Sequence, residues 1–542
     1  MALLPSAASV LGKTFQKFLL DTLCMFENMM EKFNEDDSEP GLKMKNLLLK
    51  SYMKLIHLLN ADDVLASMIE ELEVEKENDG VHHIYDGILY LTSKLTQREW
   101  QKSLVYKWLA PFAANSSVDP TTYSTTSTTA VTLEVPGERE FVEVDKAREF
   151  VALWKEELAD RRRQVGTILD GNVLEKELWK HVVLCDQIRL SGVSFSDEAA
   201  EIIAAFLKEP AFMDGPSVAS GILCAQLADI IAGQMTDVGL YVLRTLCDAF
   251  ADAELVDVNL SDNAIGQLGI GACKNALKSS LEGLALCNNG LSEDTMKEVA
   301  DTLLRSGCVA NLTKVHVYNN MSGEGGCEEF ARILDKSSKL IDIRFSSTRA
   351  GMAGSDIVAQ ALGAALEEGR NTNLEKLDLY DNNFGNEASQ AALVSVIERA
   401  PLSYLNIGSC ELGNGGVNKI CGALVNHDSS LEHLDLSCNE VDIHGAEHIA
   451  GYIRDSGGQL KSLFLGDNEL GDDGVKKICL ALVNHNSSLE DLNLSDSDMG
   501  DIGAHALIDA AFAGKLPNLK TISLDGNYFT EDIVGELQVA WW

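Results

Sequence analysis

The 542-residue sequence predicts an α/β solenoid in which short parallel strands alternate with helices, and two observations lead to this fold. The first is an apolar template, L-x-x-L-x-L-x-x-N-x-L, that fits the residues starting at Leu255, Leu281 and Leu312. The second is its spacing, because the starts from Leu374 onward lie 28, 29, 29, 29 and 30 residues apart. Further copies start at Cys185, Ile222, Leu340, Leu374, Leu402, Leu431, Leu460, Leu489 and Leu519, which makes about twelve repeats.

An amphipathic segment such as Gly474–His485 follows each template, so every repeat has room for a strand and a full helix. This spacing is typical of ribonuclease-inhibitor-like leucine-rich repeats, a horseshoe with strands inside and helices outside. The template leucines are therefore predicted core residues. The asparagine at the ninth position is predicted to bond backbone groups of its own loop; it is Asn263, Asn289, Asn320, Asn382, Asn439, Asn468 and Asn527, with Thr348, Cys410 and Ser497 in its place elsewhere.

Four segments divide the chain. Residues 1–110 carry helical periodicity and are predicted to form a small all-α domain, a candidate targeting or docking module. Residues 111–137 are rich in Ser, Thr and Pro and are predicted to be a flexible linker, because such a tract buries too little apolar surface to order itself. Residues 138–180 lead into the array as its N-terminal cap, and residues 181–542 form the array itself.

The composition narrows the classes of partner. The chain has 44 basic and 83 acidic residues, a net charge of -39, and a field of this sign repels nucleic acid and anionic lipid. We therefore expect a protein partner, no nucleic acid and no membrane insertion. Twelve cysteines without CxxC pairs are typical of buried thiols in a reducing compartment, so we expect a cytoplasmic protein. A rigid repeat array needs little adjustment to bind, and we expect a monomer.

Enzyme signatures are missing from the sequence. Gly12–Thr14 resembles the end of a phosphate-binding loop, but Ala7 stands where that loop needs a glycine. His82 and His83 lack partners at metal-ligand spacing. We therefore predict no catalysis of its own, no cofactor and no metal. What the repeats offer instead is a row of polar side chains at the eighth template position, suited to a partner rich in lysine and arginine: Asp262, Asn288, Asn319, Ser347, Asp381, Ser409, Cys438, Asp467 and Asp496.

Whole loop sequences extend the interpretation further. Residues 258–270 read VNLSDNAIGQLGI, residues 281–295 LEGLALCNNGLSEDT, residues 315–326 VHVYNNMSGEGG and residues 374–388 LEKLDLYDNNFGNEA. With IRLSGVSFSDEAAEIIAAFL upstream, at residues 188–207, they follow one another in the order found in plant-type Ran GTPase-activating proteins, which residues 140–540 of the chain resemble. That resemblance implies a non-enzymatic activator of the small GTPase Ran in its GTP form, acting in nucleocytoplasmic transport.

The mechanism that the resemblance implies uses no arginine finger. An asparagine on one loop holds the GTPase's own catalytic glutamine in the orientation that aligns the attacking water. By loop position this asparagine is Asn288 in LALCNNGLS. The partner-binding residues that the resemblance implies are Gln234, Asp262, Asn289, Asn319, Arg349 and Asp381.

Two departures from that family leave alternatives open. The family usually has an arginine where this chain has Gln234, so the charge and fork geometry of a guanidinium are lost there. Residues 1–110 stand where plant relatives carry a nuclear-envelope-targeting domain, but they contain no Trp-Pro-Pro motif. Two localisations are therefore open: targeting to the nuclear envelope, or docking to a partner elsewhere in the cytoplasm. The alternative function is a leucine-rich-repeat interaction scaffold or inhibitor without GTPase-activating activity.

Overall fold

The computed structural model describes residues 131–137, 139–169, 184–211, 215–427 and 431–541. The chain divides into two compact units, and one of them, residues 131–156, 185–211 and 217–542, contains the repeats. The other takes in residues 1–130, 157–184 and 212–216. The predicted all-α domain, residues 1–110, and the first part of the predicted linker lie outside the described residues.

The strands are three to five residues long, as expected for repeats that contribute one short strand each. In chain order they are β1 Val131–Glu134, β2 Glu140–Val142, β3 Cys185–Arg189, β4 Val193–Phe195, β5 Cys224–Gln226, β6 Asp257–Asn259, β7 Gly283–Ala285, β8 Lys314–His316, β9 Asp342–Arg344, β10 Lys376–Asp378, β11 Tyr404–Asn406, β12 His433–Asp435, β13 Ser462–Phe464, β14 Asp491–Asn493 and β15 Thr521–Ser523.

A helix follows the strand of each repeat. The α-helices are α1 Val144–Leu169, α2 Asp197–Leu207, α3 Thr236–Ala249, α4 Gly266–Cys273, α5 Glu293–Ser306, α6 Gly323–Lys336, α7 Gly351–Glu367, α8 Glu387–Ile397, α9 Gly413–Asn426, α10 Ile443–Asp455, α11 Gly471–His485, α12 Asp501–Phe512 and α13 Glu531–Trp541. Short 3₁₀ helices occupy Ala219–Gly221, Cys308–Asn311 and Gly457–Gln459. Among the described residues, no helix combines the length and apolar character needed to cross a membrane.

Thirteen strands of the described residues form one parallel sheet in chain order, while β2 and β4 pair separately. The central residues of neighbouring strands are in register, so that Leu377 lies beside Leu405, Leu405 beside Leu434 and Leu434 beside Leu463. Each of these leucines is fully buried. Burying one such side chain stabilises the fold by about 1.5–3 kcal/mol. The predicted α/β leucine-rich-repeat solenoid, with strands at all twelve predicted starts, is confirmed.

The sheet begins earlier than predicted. Strand β1 lies inside the segment 111–137 that composition assigned to the linker, and it pairs with β3 in parallel. Its side chains explain the difference, because Leu133 is fully buried and Val135 is 5% exposed. The composition of the preceding Ser/Thr-rich tract dominated the prediction, and the short alternation of Val131, Leu133 and Val135 was overlooked. Trp154 of α1 fixes this end of the sheet by donating from Nε1 to the carbonyl of Glu134 at 3.1 Å.

The ninth-position asparagines form a buried ladder that joins repeats. Asn439 donates from Nδ2 to the carbonyls of Leu436 in its own loop and of Ile407 in the preceding repeat, at 3.1 and 2.9 Å. Its Oδ1 accepts the backbone N–H groups of Cys410 and Leu412. The predicted structural role is therefore correct. The prediction named only backbone groups of the same loop as partners, whereas each side chain also bonds to backbone groups of the preceding repeat.

Candidate functional site

The eighth template position has the same backbone conformation in successive loops. Asp262, Asn288, Asn319, Asp381 and Asp467 have φ angles of 63°, 51°, 55°, 55° and 55°. This left-handed region costs most side chains free energy, and aspartate and asparagine enter it more readily than others. Part of the polar row predicted from the sequence is therefore a requirement of the turn. The function of each member depends on where its side chain goes.

Three consecutive loops make one connected group, which we call the upstream ridge: Asp262, Asn288 and Asn319. All three residues are exposed. The Nδ2 atom of Asn288 donates to Oδ1 of Asp262 at 2.7 Å, and the Nδ2 atom of Asn319 donates to Oδ1 of Asn288 at 2.9 Å. The side-chain amide of Asn288 is thus held at both ends.

The orientation of the Asn288 amide follows from these partners. An ionised Asp262 carboxylate can only accept, so the Asn288 atom that faces it is the amino nitrogen. The Asn288 oxygen is then left to accept from Asn319. A primary amide has two N–H donors and an oxygen with two lone pairs, so one donor and one lone pair of Asn288 remain available to a partner.

The backbone beneath the upstream ridge is fixed by hydrogen bonds between loops. The N–H of Asp262 donates to the carbonyl of Cys287 at 2.9 Å, and the N–H of Asn288 donates to the carbonyl of Tyr318 at 3.0 Å. The N–H of Asn319 continues the series to the carbonyl of Ser346 at 2.8 Å. These bonds fix the left-handed backbone on which the three side chains stand.

Asn289 does not present its side chain to a partner. It is 2% exposed, its Nδ2 donates to the carbonyl of Leu260 at 3.0 Å, and its Oδ1 accepts the N–H of Asn263 at 2.8 Å. This corrects its place in the partner-binding set, because a ninth-position side chain in the ladder is turned into the solenoid. Its neighbour Asn288 is the one that faces solvent.

The other predicted contact residues have different environments. Gln234 is half-buried and donates from Nε2 to the carbonyl of Phe195 at 2.6 Å, so its amide holds the preceding repeat. Arg349 and Asp381 are exposed, in the loops after β9 and β10. Neighbouring strands lie about 4.8 Å apart, which places the Asp381 loop roughly 14 Å along the sheet from the Asn288 loop. Gln234 lies in the loop after β5, on the other side of Asn288.

Sequence reasoning missed a cluster on the sheet face below the ridge. The guanidinium carbon of Arg344 lies 3.9 Å from the ring centre of Tyr318, and its Nε lies 2.9 Å from a carboxylate oxygen of Asp378. Asp378 is 5% exposed, and burial raises the pKa of its carboxyl despite the Arg344 charge. Next to it His316 contacts Asp342 at 2.8 Å. Burial raises the pKa of Asp342, but the hydrogen bond and charge of His316, together with the charges of two nearby lysines, lower that pKa overall.

A row of rings was missed as well, further along the same face. Tyr404 and His433 stack with centroids 4.2 Å apart, and Phe464 meets His433 edge-on at 5.0 Å. Burial lowers the pKa of His433 to about 4, so the ring is neutral at pH 7. The signal in the sequence was the third and fifth template positions, which flank the buried leucine of each strand and point away from the helices.

The described residues contain no group of three or more His, Cys, Asp and Glu side chains placed to hold a metal ion. The cysteines in this part of the chain are free thiols. The most buried of them have raised pKa values because burial disfavours the thiolate, as at Cys421, where the pKa rises to about 12. These thiols are poor nucleophiles.

Comparisons with known proteins agree with the repeat fold. A family model described as Leucine Rich repeat matches residues 370–389, 427–450, 460–479 and 485–507. The described unit is a leucine-rich-repeat solenoid, a fold that serves as a protein-interaction scaffold. The chain is similar to ribonuclease inhibitors of Mus musculus, 24% identical over 221 residues, and of Sus scrofa, 25% identical over 177 residues. These matches cover 35% and 32% of this chain and 47% and 37% of those proteins, so the chain spans less than half the length of these relatives.

Matches to solved structures have lower sequence identity. The Rad7 and Elc1 complex in yeast contains a chain that matches with a TM-score of 0.41 at 16% identity, over 72% of this chain and 94% of that one. An internalin from Listeria monocytogenes matches with a TM-score of 0.32 at 16% identity, over 66% of this chain and 79% of that one.

Proposed function

We propose that this protein is a GTPase-activating protein for a Ran-type small GTPase in its GTP form, supporting nucleocytoplasmic transport in the cytoplasm or at the nuclear envelope. The observation that carries the proposal is the Asn288 amide, exposed on a left-handed turn and held by Asp262 and Asn319 at 2.7 and 2.9 Å. The order of loop sequences from residue 258 to 388 supports the same assignment.

The chemistry fits the orientation of a glutamine. One N–H and one lone pair of the Asn288 amide are free, and they match the acceptor and donor of a second side-chain amide. A glutamine held in this way keeps the attacking water in line with the γ-phosphate. The activator adds no charged group to the transition state. It contributes by fixing an orientation before the reaction, which avoids reorganisation at the moment of transfer.

The test is a single-turnover GTP hydrolysis assay with Ran. We expect strong stimulation by the wild-type protein and a fall of at least about a hundredfold with Asn288→Ala, or about 3 kcal/mol of transition-state stabilisation. Ser409→Ala is the matched control, because Ser409 occupies the same template position at φ 53° two loops past Arg349. It introduces the same left-handed alanine and should stimulate GTP hydrolysis by Ran as strongly as the wild type does.

Two results would contradict parts of the proposal separately. Wild-type protein that leaves the hydrolysis rate of Ran unchanged would remove the activator function. Full stimulation by Asn288→Ala would remove only the assignment of Asn288. Asn288→Asp adds a third comparison, since it keeps the size of the side chain but lacks the N–H that faces Asp262 and places two carboxylates side by side.

A binding scaffold or inhibitor without effect on hydrolysis is the second candidate, and the rings on the sheet face favour it. Tyr318, Tyr404 and Phe464 are half-buried aromatic side chains on a face free of helices, and aromatic residues are frequent hot spots of tight protein interfaces. Measured binding of Ran without faster hydrolysis would support this function over activation.

A further inference from the structure

Six carboxylates follow strands β11 to β14 of the sheet, and we call them the downstream ridge: Glu411, Glu440, Asp467, Glu469, Asp496 and Asp498. They stand on the consecutive loops after β11, β12, β13 and β14, and all six are exposed. Loops at the ends of neighbouring parallel strands are about 4.8 Å apart. Like charges at this distance repel each other, which destabilises the folded chain.

Within the described part of the chain, the downstream ridge has no ion pairs, whereas carboxylates on other faces of the same repeats pair with lysines. Lys461 pairs with Glu432 at 2.8 Å, and Lys477 pairs with Glu447 at 3.1 Å. On the ridge, Glu411 accepts from the amide of Asn383 at 2.6 Å, and Asp467 accepts from the thiol of Cys438 at 3.1 Å. Both donors are neutral. Among the described residues, no lysine or arginine forms an ion pair with any of the six carboxylates.

Aromatic side chains lie on three of the strands that lead into these loops. Tyr404, His433 and Phe464 form a continuous row across β11, β12 and β13, with centroid distances of 4.2 and 5.0 Å. The ring of Tyr380 lies against Gly408 in the loop after β11, where an added Cβ would meet a ring carbon at 3.0 Å.

We propose that the downstream ridge and the row of rings together bind a lysine- and arginine-rich segment of a partner protein that also carries an apolar side chain. The carboxylates supply the charge that such a segment lacks, and binding relieves the repulsion within the ridge. The ring edges and Phe464 receive the apolar side chain beneath the charged groups. This surface is separate from the Asn288 site, and the proposal does not depend on GTPase activation.

Calorimetric titration with a synthetic lysine–arginine peptide that contains one leucine tests the proposal. The triple variant Glu440→Gln, Asp467→Asn, Glu469→Gln should weaken binding at least about tenfold. A matched triple, Glu328→Gln, Glu398→Gln, Asp473→Asn, removes the same charge from exposed positions of α6, the end of α8 and α11. It should change binding less than about threefold, which is the long-range effect of net charge alone.

The aromatic half of the site has its own variant. Phe464→Ala should weaken binding of the leucine peptide about fivefold and leave binding of the same peptide with serine in place of leucine unchanged, because only the apolar contact is removed. Equal weakening by the two triple variants would overturn the proposal, since it would show attraction to the whole acidic chain. Equal affinity of both peptides for the wild type would overturn the role of the rings. Hydrolysis of GTP by Ran is not part of either readout.

Discussion

The upstream and downstream ridges stand on the same backbone and differ in what their side chains do. Asn288 and Asp467 both occupy the eighth template position, with φ angles of 51° and 55°. Upstream, amides and one carboxylate bond to each other across three loops, so their orientations are fixed. Downstream, carboxylates of adjacent loops can only repel each other. The first arrangement suits the precise placement of one partner group, and the second suits general attraction of a cationic segment.

The comparison requires that the scaffold beneath both ridges be equivalent, and ladder variants test this with the largest expected effect. Asn289→Ala upstream and Asn439→Ala downstream each leave buried carbonyl and N–H groups without partners. We expect each to lower the free energy of unfolding by about 2–4 kcal/mol. Urea denaturation followed by circular dichroism measures the losses. Asn288→Ala, at an exposed site, should cost less than about 1 kcal/mol.

A large loss of unfolding free energy in one ladder variant and none in the other would contradict an equivalent scaffold. The two regions would then differ in backbone stability as well as in surface chemistry. Repeat arrays respond to such changes locally, so the unfolding transition should also be probed by hydrogen exchange at α5 and α10.

The solenoid could be predicted from the sequence because the same apolar template recurs about twelve times at nearly constant spacing. Leu405, Leu434 and Leu463 lie in register where the template placed them. Strand β1 was not predicted, because it is a single short strand that directly follows a polar tract and has no template of its own. The role of Asn288 stays a prediction drawn from the resemblance of its loop, and the sequence could not show that Asp262 and Asn319 bond to its side chain. Such contacts join residues 26 and 31 positions apart, and a template that aligns loops does not reveal side-chain directions.

The wrong assignment of Asn289 to the partner-binding residues and the failure to predict the row of rings have one physical cause. Neighbouring positions of a turn point in opposite directions, so Asn288 is exposed while Asn289 is 2% exposed. Tyr404 and Phe464 belong to strands, where alternate side chains face opposite sides. Their stacking with His433 depends on the register between repeats, and the template records only the spacing along the chain.

His433 gives the stability of the downstream region a pH dependence. Its pKa is about 4 in the folded protein against 6.5 ordinarily, because burial disfavours the charged ring. Above pH 6.5 the ring is neutral in both states and contributes nothing to pH dependence. As the pH falls below 6.5 the unfolded chain gains the proton first, so stability is lost progressively down to about pH 4.

Comparison with His433→Phe measures this contribution. Between pH 7 and pH 5 the wild type should lose at most about 2 kcal/mol more than the variant, since one pKa unit corresponds to about 1.4 kcal/mol. Phenylalanine keeps a ring between Tyr404 and Phe464. Urea midpoints of both proteins at the two pH values are the measurement. Parallel losses in the two proteins would show that the ring is solvated and that the row is more open than its 4.2 Å stacking indicates.

Charge removal on the two ridges has the smallest expected effect and distinguishes them most directly. Glu440→Gln with Glu469→Gln should stabilise the folded chain by a few tenths of a kcal/mol, because it relieves repulsion between neighbouring exposed loops. The gain should vanish in 1 M salt, where the screening length is about 3 Å. Asp262→Asn upstream should bring no gain, since that carboxylate accepts a hydrogen bond from Asn288 at 2.7 Å. If Asp262→Asn stabilised the protein as much as the downstream variant does, the upstream carboxylate would also be a repelling charge. The hydrogen bond from Asn288 to Asp262 would then not hold the Asn288 amide in place.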